Sequence, residues 1–270
     1  MPTILKDLST PALLTAMENN IYEGWTLFGQ LLDATIHDEP ELLWFTSGLP
    51  FQLGNGIMRA NFTGNELEKT LSKKIKQLVA LHLPMAWLIG PSTQPHELGS
   101  YLQVHGWELS DQAPGMAVNL HDLQEQPLPP GLSIEQVRDE AALQTWLRVM
   151  IAGSELPEEA LTLLLSILSR HGFKDNPAAH FYLGRLNNQP IATSLLFLGG
   201  GVAGIYNVAT LPEVRKRGIG SALTLFPLLQ ARERGYRIGT LQSTEMGLHV
   251  YQRLGFHEYC AFSVYFWQGL

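Results

Sequence analysis

The sequence predicts an α/β fold with a mixed sheet, built as two similar units that are each a twisted sheet flanked by helices. Three observations lead there. Residues 132–267 order their hydrophobic periods as β-α-α-β-β-β-α-β-α-β, which makes a mixed sheet with helices on its faces. The stretch Gln124-Glu-Gln-Pro-Leu-Pro-Pro-Gly131 is a linker by composition and divides the chain into nearly equal halves. The first half also repeats part of the second: Trp87-Leu-Ile, helix, Gly106-Trp107-Glu108 parallels Thr240-Leu-Gln, helix, Gly255-Phe256-His257-Glu258. The expected domains are therefore 1–123, a linker at 124–131, and 132–270.

In the second half, Leu132–Val137 alternates as a short strand. Glu140–Ala152 and Pro157–His171 are amphipathic, the latter with proline at a favoured first helical position. His180–Leu186 and Ile191–Leu198 read as strands joined through Asn187-Asn188-Gln189-Pro190, a hairpin turn by composition. Val202–Thr210 is a strand, Gly218–Gly235 a helix, Ile238–Ser243 a strand and Gly247–Leu254 a short helix. Tyr259–Trp267 supplies the last strand or pair. Pro227 falls inside the Gly218–Gly235 helix, removes the bond to the Leu223 carbonyl and should kink it unless packing compensates. The first half reads as a helix at Thr10–Leu32 and strands at Leu42–Phe45, Gly56–Phe62, Ala86–Ile89 and Met116–Leu120. Its other helices are Glu66–His82, capped by Asn65 or Thr63, and Glu97–His105.

Composition narrows the functional classes. A chain of 270 residues with 45% hydrophobic and 16% charged residues can bury a large core, which excludes disorder as its main state. No apolar run is long enough to span a membrane, and the N-terminal residues lack the pattern of a secretory signal, so a cytoplasmic protein is expected. One cysteine, Cys260, excludes an internal disulfide and any multi-cysteine metal site. It lies in an apolar strand, where a buried inert thiol is expected. The histidines show no ligand spacing, so no metal is expected. Net charge is −7; residues 1–125 carry six Lys/Arg against fourteen Asp/Glu, whereas residues 126–270 are nearly balanced. An acidic chain with one short basic cluster does not suit nucleic acid and does suit a local anionic ligand.

That cluster lies in Asn207-Val-Ala-Thr-Leu-Pro-Glu-Val-Arg-Lys-Arg-Gly-Ile-Gly-Ser221. A β-branched strand enters a turn, then Arg215-x-x-Gly218-x-Gly220, then a helix. A helix start leaves backbone N–H groups without partners, and its dipole favours negative charge. Glycines let a phosphate approach those donors, and Arg215, Lys216 and Arg217 add charge beside them. The competing reading is a solvated basic turn that caps a helix. A P-loop is excluded because Gly-x-x-x-x-Gly-Lys-Ser/Thr is absent, and a dinucleotide fingerprint because Leu223 stands where its third small residue belongs.

Arg215-x-x-Gly218-x-Gly220 between a strand and a helix resembles motif A of the GNAT superfamily of acyl-CoA-dependent N-acetyltransferases. Tyr251-Gln-Arg-Leu-Gly-Phe256 resembles the Tyr-x-x-x-Gly-Phe that closes that fold. The resemblance covers residues 132–267 in the right element order and implies an enzyme that uses acetyl-CoA as co-substrate. It implies that Val208, Ala209 and Thr210 pair with the pantetheine arm, one of their amides facing the thioester oxygen. Arg215, Lys216, Arg217, Gly218, Ile219, Gly220 and Ser221 would cradle the diphosphate. Ser243 and Thr244 would touch pantetheine, although Thr244 departs from the frequent asparagine. Tyr251 would protonate the departing thiolate; the competing role is packing. An amine would attack directly in a ternary complex. Many relatives place a basic glutamate on the strand before motif A, and here Tyr206 and Asn207 occupy that stretch. Glu245, His249, a water held by them, or direct proton loss to solvent would serve instead; Glu245 is the residue chosen.

The first half lacks the arginine–glycine loop, showing Met58-Arg-Ala-Asn-Phe-Thr-Gly-Asn65 instead, and Leu102 stands where Tyr251 does in the repeat. It resembles a degenerate GNAT-like domain without cofactor binding, which would shape the acceptor site or support the catalytic half. The expected partner is a small-molecule or peptide amine, with no nucleic acid and no membrane; a homodimer is compatible. The rival class is a CoA-binding regulatory or scaffold protein whose catalysis has lapsed. Transfer of a longer acyl chain is a second alternative.

Overall fold

The computed structural model describes residues 3–64, 66–171 and 176–269. The chain forms two compact units that are not consecutive in sequence: one joins the residues up to Asn20 to Met116–Glu258, the other joins Ile21–Gly115 to Tyr259 and beyond. The linear division at 124–131 therefore does not separate the compact units, and the reason is visible at both ends of the chain. In the last strand, Ser263–Trp267 pairs antiparallel with Met85–Ile89, so Tyr265 enters the core of the first half with Trp87 and Trp107. Near the N-terminus, Asn20 is fully buried and its amide donates to the carbonyls of Phe197 (3.2 Å) and Gly199 (2.9 Å) in the second half.

In chain order the unit that contains the basic loop has β6 (Leu132–Gln136), α4 (Glu140–Gly153), α5 (Glu158–His171), β7 (Ala179–Leu186), β8 (Gln189–Gly199) and β9 (Val202–Thr210). These are followed by α6 (Ile219–Glu233), β10 (Ile238–Gln242) and α7 (Leu248–Arg253). Together with the end of β5 (Glu108–Asn119), its strands order as β5-β10-β9-β8-β7-β6. The pairs β6/β7, β7/β8 and β8/β9 are antiparallel, while β9 and β10 run parallel, joined through α6. The β7–β8 hairpin turns on Asn187 and Asn188 alone, both left-handed (φ 49° and 67°), and Gln189 and Pro190 already belong to β8. Alternation along each strand splits the core. Tyr182, Leu196 and Ile205 pack with the apolar face of α6, and Phe181, Leu183 and Leu195 pack with α4 and α5. Helix α6 runs unbroken through Pro227, which is buried, so packing by Leu223, Leu225 and Leu228 makes up for the missing bond.

The other unit carries the second half of α1 (Thr10–Leu31), then β1 (Thr35–Asp38), β2 (Leu43–Thr46), β3 (Gly56–Met58), α2 (Leu67–Val79), β4 (Met85–Ile89), α3 (Leu98–Val104) and the start of β5. With β11 (His257–Trp267) the order is β1-β2-β3-β4-β11. Here β3 and β4 are parallel and joined through α2, as β9 and β10 are through α6. The expected strand at Gly56–Phe62 stops at Met58. Helix α2 begins without a side-chain cap; Thr63 does not serve, and Asn65 lies outside the described residues. Strand β5 begins eight residues earlier than the expected Met116, at Glu108. Cys260 in β11 is half-buried rather than buried. Among the described residues, no helix is long and apolar enough to cross a membrane, and no group of three or more His, Cys, Asp or Glu could hold a metal.

Candidate active site

Strand β9 opens at its C-terminal end. Its parallel pairing with β10 is confined to Ala203 with Gly239 and Gly204 with Thr240, so from Tyr206 to Thr210 the edge on that side has no paired strand among the described residues. On the other edge, Thr193 pairs with Ala209 and Leu195 with Tyr206, which leaves Asn207 and Val208 opposite Ser194 alone. This is a β-bulge, and Asn207 sits in it with left-handed backbone (φ 50°) and its carbonyl held by the Thr193 hydroxyl at 2.9 Å. A bulge re-aims the main chain. Val208 and Thr210 are half-buried and Ala209 is buried.

The loop that follows turns left-handed twice, at Lys216 (φ 62°) and Gly218 (φ 77°). Backbone of alternating hand forms concave nests of N–H groups that bind anions. No side chain caps α6 at Gly218, and among the described residues no acceptor takes the N–H of Lys216, Arg217, Gly218, Ile219, Gly220 or Ser221. Lys216 and Arg217 are exposed, and neither forms an ion pair with a described residue. Gly220 supplies an independent sign. Its backbone is not left-handed, and a Cβ built there meets only the Thr210 Oγ1, at 4.0 Å. Glycine lowers helix stability by up to about 1 kcal/mol relative to alanine, and no protein atom requires it here. The open space before Gly220, beside amides and two cations that have no partner among the described residues, fits a diphosphate.

Arg215 behaves differently from its neighbours. Its Nε donates to the Thr210 carbonyl (3.1 Å), Nη2 donates to the Gly153 carbonyl (2.9 Å), and Nη1 pairs with Glu155 (2.7 Å). Charge alone makes the three cations equivalent; among the described residues only Arg215 is engaged by protein, and Lys216 and Arg217 have no ion-pair partner.

Tyr251 reaches the same region from α7. Its ring lies over Gly247, where a Cβ would come within 2.8 Å of it, and against Phe256 with centroids 6.0 Å apart. Burial pushes its phenol up to about 12, while the hydroxyl of Thr224 beside it pulls the other way. Thr224 in turn donates to the Gly220 carbonyl at 2.9 Å, so one side chain links the helix start to the tyrosine. Ser243 is buried and spends its hydroxyl on the Thr244 carbonyl (2.7 Å). The Thr244 hydroxyl accepts the Gly247 N–H (3.2 Å) and shapes the turn into α7. Glu245 and His249 are exposed; His249 meets Gln252 at 3.1 Å, and Glu245 bonds to no described residue. Tyr206 is drawn to the Asn20 carboxamide (2.6 Å), and burial raises its phenol further than that of Tyr251.

Two residues escape sequence reasoning. Thr224 reads as an ordinary helical threonine. Gln242 ends β10 where β9 and β10 part, and its amide nitrogen is buried without a hydrogen bond among the described residues. A buried unpaired amide costs about 1–3 kcal/mol, so a ligand carbonyl in that cleft would restore what the fold leaves unmade. The equivalent turn in the first half has none of this chemistry. Leu102 is fully buried, and its carbonyl accepts the Trp107 N–H (3.1 Å) as the Tyr251 carbonyl accepts that of Phe256 (3.0 Å).

A family model described as an acetyltransferase (GNAT) domain matches residues 176–258. No curated protein matches the chain by sequence. Among solved structures, a GCN5-related N-acetyltransferase from Kribbella flavida superposes with a TM-score of 0.68 at 17% identity, covering 92% of this chain and 96% of that one. A functionally unknown conserved protein from Staphylococcus epidermidis gives 0.66 at 14% identity, with 88% and 96% covered. A tandem GNAT protein from the clavulanic acid biosynthesis pathway gives 0.56 at 14% identity, with 84% and 78% covered. At such identities the likeness is one of fold.

Proposed function

We propose, on the match of residues 176–258 to a family model described as an acetyltransferase (GNAT) domain, that the protein transfers an acetyl group from acetyl-CoA to an amine by direct attack in a ternary complex. The single observation that carries this reading is the run of main-chain N–H groups from Lys216 to Ser221 that have no partner among the described residues, set around a glycine that no described residue requires. The diphosphate would sit there with Lys216 and Arg217. The pantetheine arm would lie along the free edge of β9 at Val208, Ala209 and Thr210, toward Gln242. The bulge at Asn207–Val208 would turn an N–H toward the thioester oxygen, where charge develops as the amine attacks. Tyr251, still protonated at neutral pH, would give its proton to the leaving thiolate. The amine would lose its proton to solvent or to Glu245. In the first half, Leu102 and the absence of the arginine–glycine loop support a degenerate domain that does not bind CoA.

A second reading, a CoA-binding regulatory or scaffold protein, draws on one observation: Tyr206 is tied to Asn20, and no carboxylate stands on β9 at the bulge. The two are separated by incubating the protein with acetyl-CoA and a panel of amines while following free thiol. Thiol released only when an amine is present supports transfer. Calorimetric binding of CoA without release from any amine supports the binding module, and no binding at all removes both.

A further inference from the structure

We propose that Arg215 is a positioning residue: it braces the loop before α6 to the end of α4, and Glu155 is its dedicated partner. The functional consequence rests on the CoA reading above; the brace itself does not. Three guanidinium nitrogens are engaged by protein, with the Thr210 carbonyl at 3.1 Å, the Gly153 carbonyl at 2.9 Å and the Glu155 carboxylate at 2.7 Å. The first carbonyl closes β9. The second belongs to the last turn of α4, where carbonyls lack intrahelical partners. The two elements are in close contact here, since a Cβ on Gly153 would lie 3.1 Å from both the Thr210 nitrogen and the Ala209 Cβ.

Glu155 provides the independent sign. It occupies the left-handed position that ends α4 (φ 54°), its N–H bonding to the Ala152 carbonyl (3.2 Å) and that of Leu156 to the Ile151 carbonyl (3.0 Å). Glycine suits such a cap, and a glutamate there is strained unless something holds it. The pair with Arg215 is what holds it, although 64% of the Glu155 side chain is exposed. The cofactor loop and the α4–α5 turn are therefore one mechanical unit. A ligand that orders the loop is felt at Glu155, and the charge left to meet a diphosphate comes from Lys216 and Arg217.

The test compares wild type, Arg215→Gln, Glu155→Gln and Lys216→Gln by amide hydrogen exchange and by calorimetry with CoA at two salt concentrations. Without ligand, Arg215→Gln and Glu155→Gln should each speed exchange at Ser154–Leu156 by roughly tenfold, as expected when a local closed state is weakened. CoA should slow those amides in wild type and in neither of these variants. Arg215→Gln should keep the salt dependence of CoA binding, whereas Lys216→Gln should flatten it. Unchanged ligand-free exchange in both variants overturns the brace, and so does a flattened salt dependence in Arg215→Gln equal to that of Lys216→Gln. Should Arg215→Gln not fold, Glu155→Gln gives the same exchange readout while leaving the loop intact. Wild type that binds no CoA fails the functional reading alone, because ligand-free exchange still decides the brace.

Discussion

At Gly220 the interests of the fold and of the proposed ligand point in opposite directions, and that makes the residue testable. Its Cβ position is open, so Gly220→Ala should leave the free protein as stable or more stable by up to about 1 kcal/mol, and it should weaken CoA binding. Gly220→Glu also places an anion in the first turn of α6, which favours the free helix by about 0.3–1 kcal/mol, yet it puts a carboxylate where the diphosphate would lie. Thermal melting and calorimetry should therefore move oppositely; a variant that binds CoA as wild type does removes the loop assignment. Tyr251→Phe should lower kcat by roughly 10²–10⁴-fold, with CoA affinity nearly kept. Because its phenol is pushed up to about 12, the acid form persists through the whole neutral range. The kcat/KM profile should show no alkaline fall from this group before about pH 11, and an earlier limb that disappears in Tyr251→Phe contradicts that placement. Gly218, Gly220 and Tyr251 could be proposed from the sequence because their residue types suit the chemistry that the resemblance implies. Arg215 was legible only as a charge, since its direction depends on Gly153 and Glu155, some sixty residues away in sequence. Gln242 and Thr224 carried no signal, because what sets them apart is the absence of a partner and the nearness of Tyr251.

At the scale of elements, the second half followed its periodicity closely, with β9 found at Val202–Thr210 as expected. Its strands are apolar and its turns carry Asn and Gly, so local preference and tertiary context agree. The first half was less legible for a specific reason. The start of β5, Glu108-Leu-Ser-Asp-Gln-Ala-Pro-Gly115, is polar and largely exposed and contains proline, so it reads as loop although it extends as strand. Strand β1, Thr-Ile-His-Asp, is too short to show alternation. The bulge in β9 was invisible, because asparagine within a strand does not announce a left-handed backbone. That element can be tested through its own geometry. Asn207→Gly suits φ 50° and should keep both melting temperature and CoA binding, while Asn207→Val forces a β-branched residue into left-handed space at a cost of about 1–2 kcal/mol. If the bulge aims the thioester, the valine variant should also lose turnover beyond what its lower stability explains at the assay temperature. Equal melting and equal turnover for the two variants would show that the bulge is dispensable.

At the scale of the molecule, the compact units are not consecutive halves of the chain, even though a short stretch of sequence recurs in each half. The repeat holds locally: β3-α2-β4-α3 and β9-α6-β10-α7 share a parallel crossover, a short helix and a left-handed glycine, Gly106 or Gly255, before a long strand. The chain passes between the compact units at Gly115–Met116 and again at Glu258–Tyr259, so residues from the end of the chain complete the core of the unit that holds Ile21–Gly115. Tyr265 is the clearest measure of that dependence. It is buried with Trp87 and Trp107, and a Cβ on Gly99 would clash with its hydroxyl oxygen, so the unit that holds Ile21–Gly115 has a space of that shape. Losing an aromatic side chain from such a core costs about 3–5 kcal/mol, a large share of the stability of a domain. Tyr265→Ala should accordingly weaken the unit that holds Ile21–Gly115, and a chain ending at Glu258 should lose that unit altogether. Amide exchange distinguishes this from general unfolding: protection should fall across β2, β3, β4 and α2 while β7, β8 and β9 keep theirs. Full protection of Ile21–Gly115 in the shortened chain would mean that the first half carries its own sufficient core. The linear domains at 1–123 and 132–270 would then be the folding units after all.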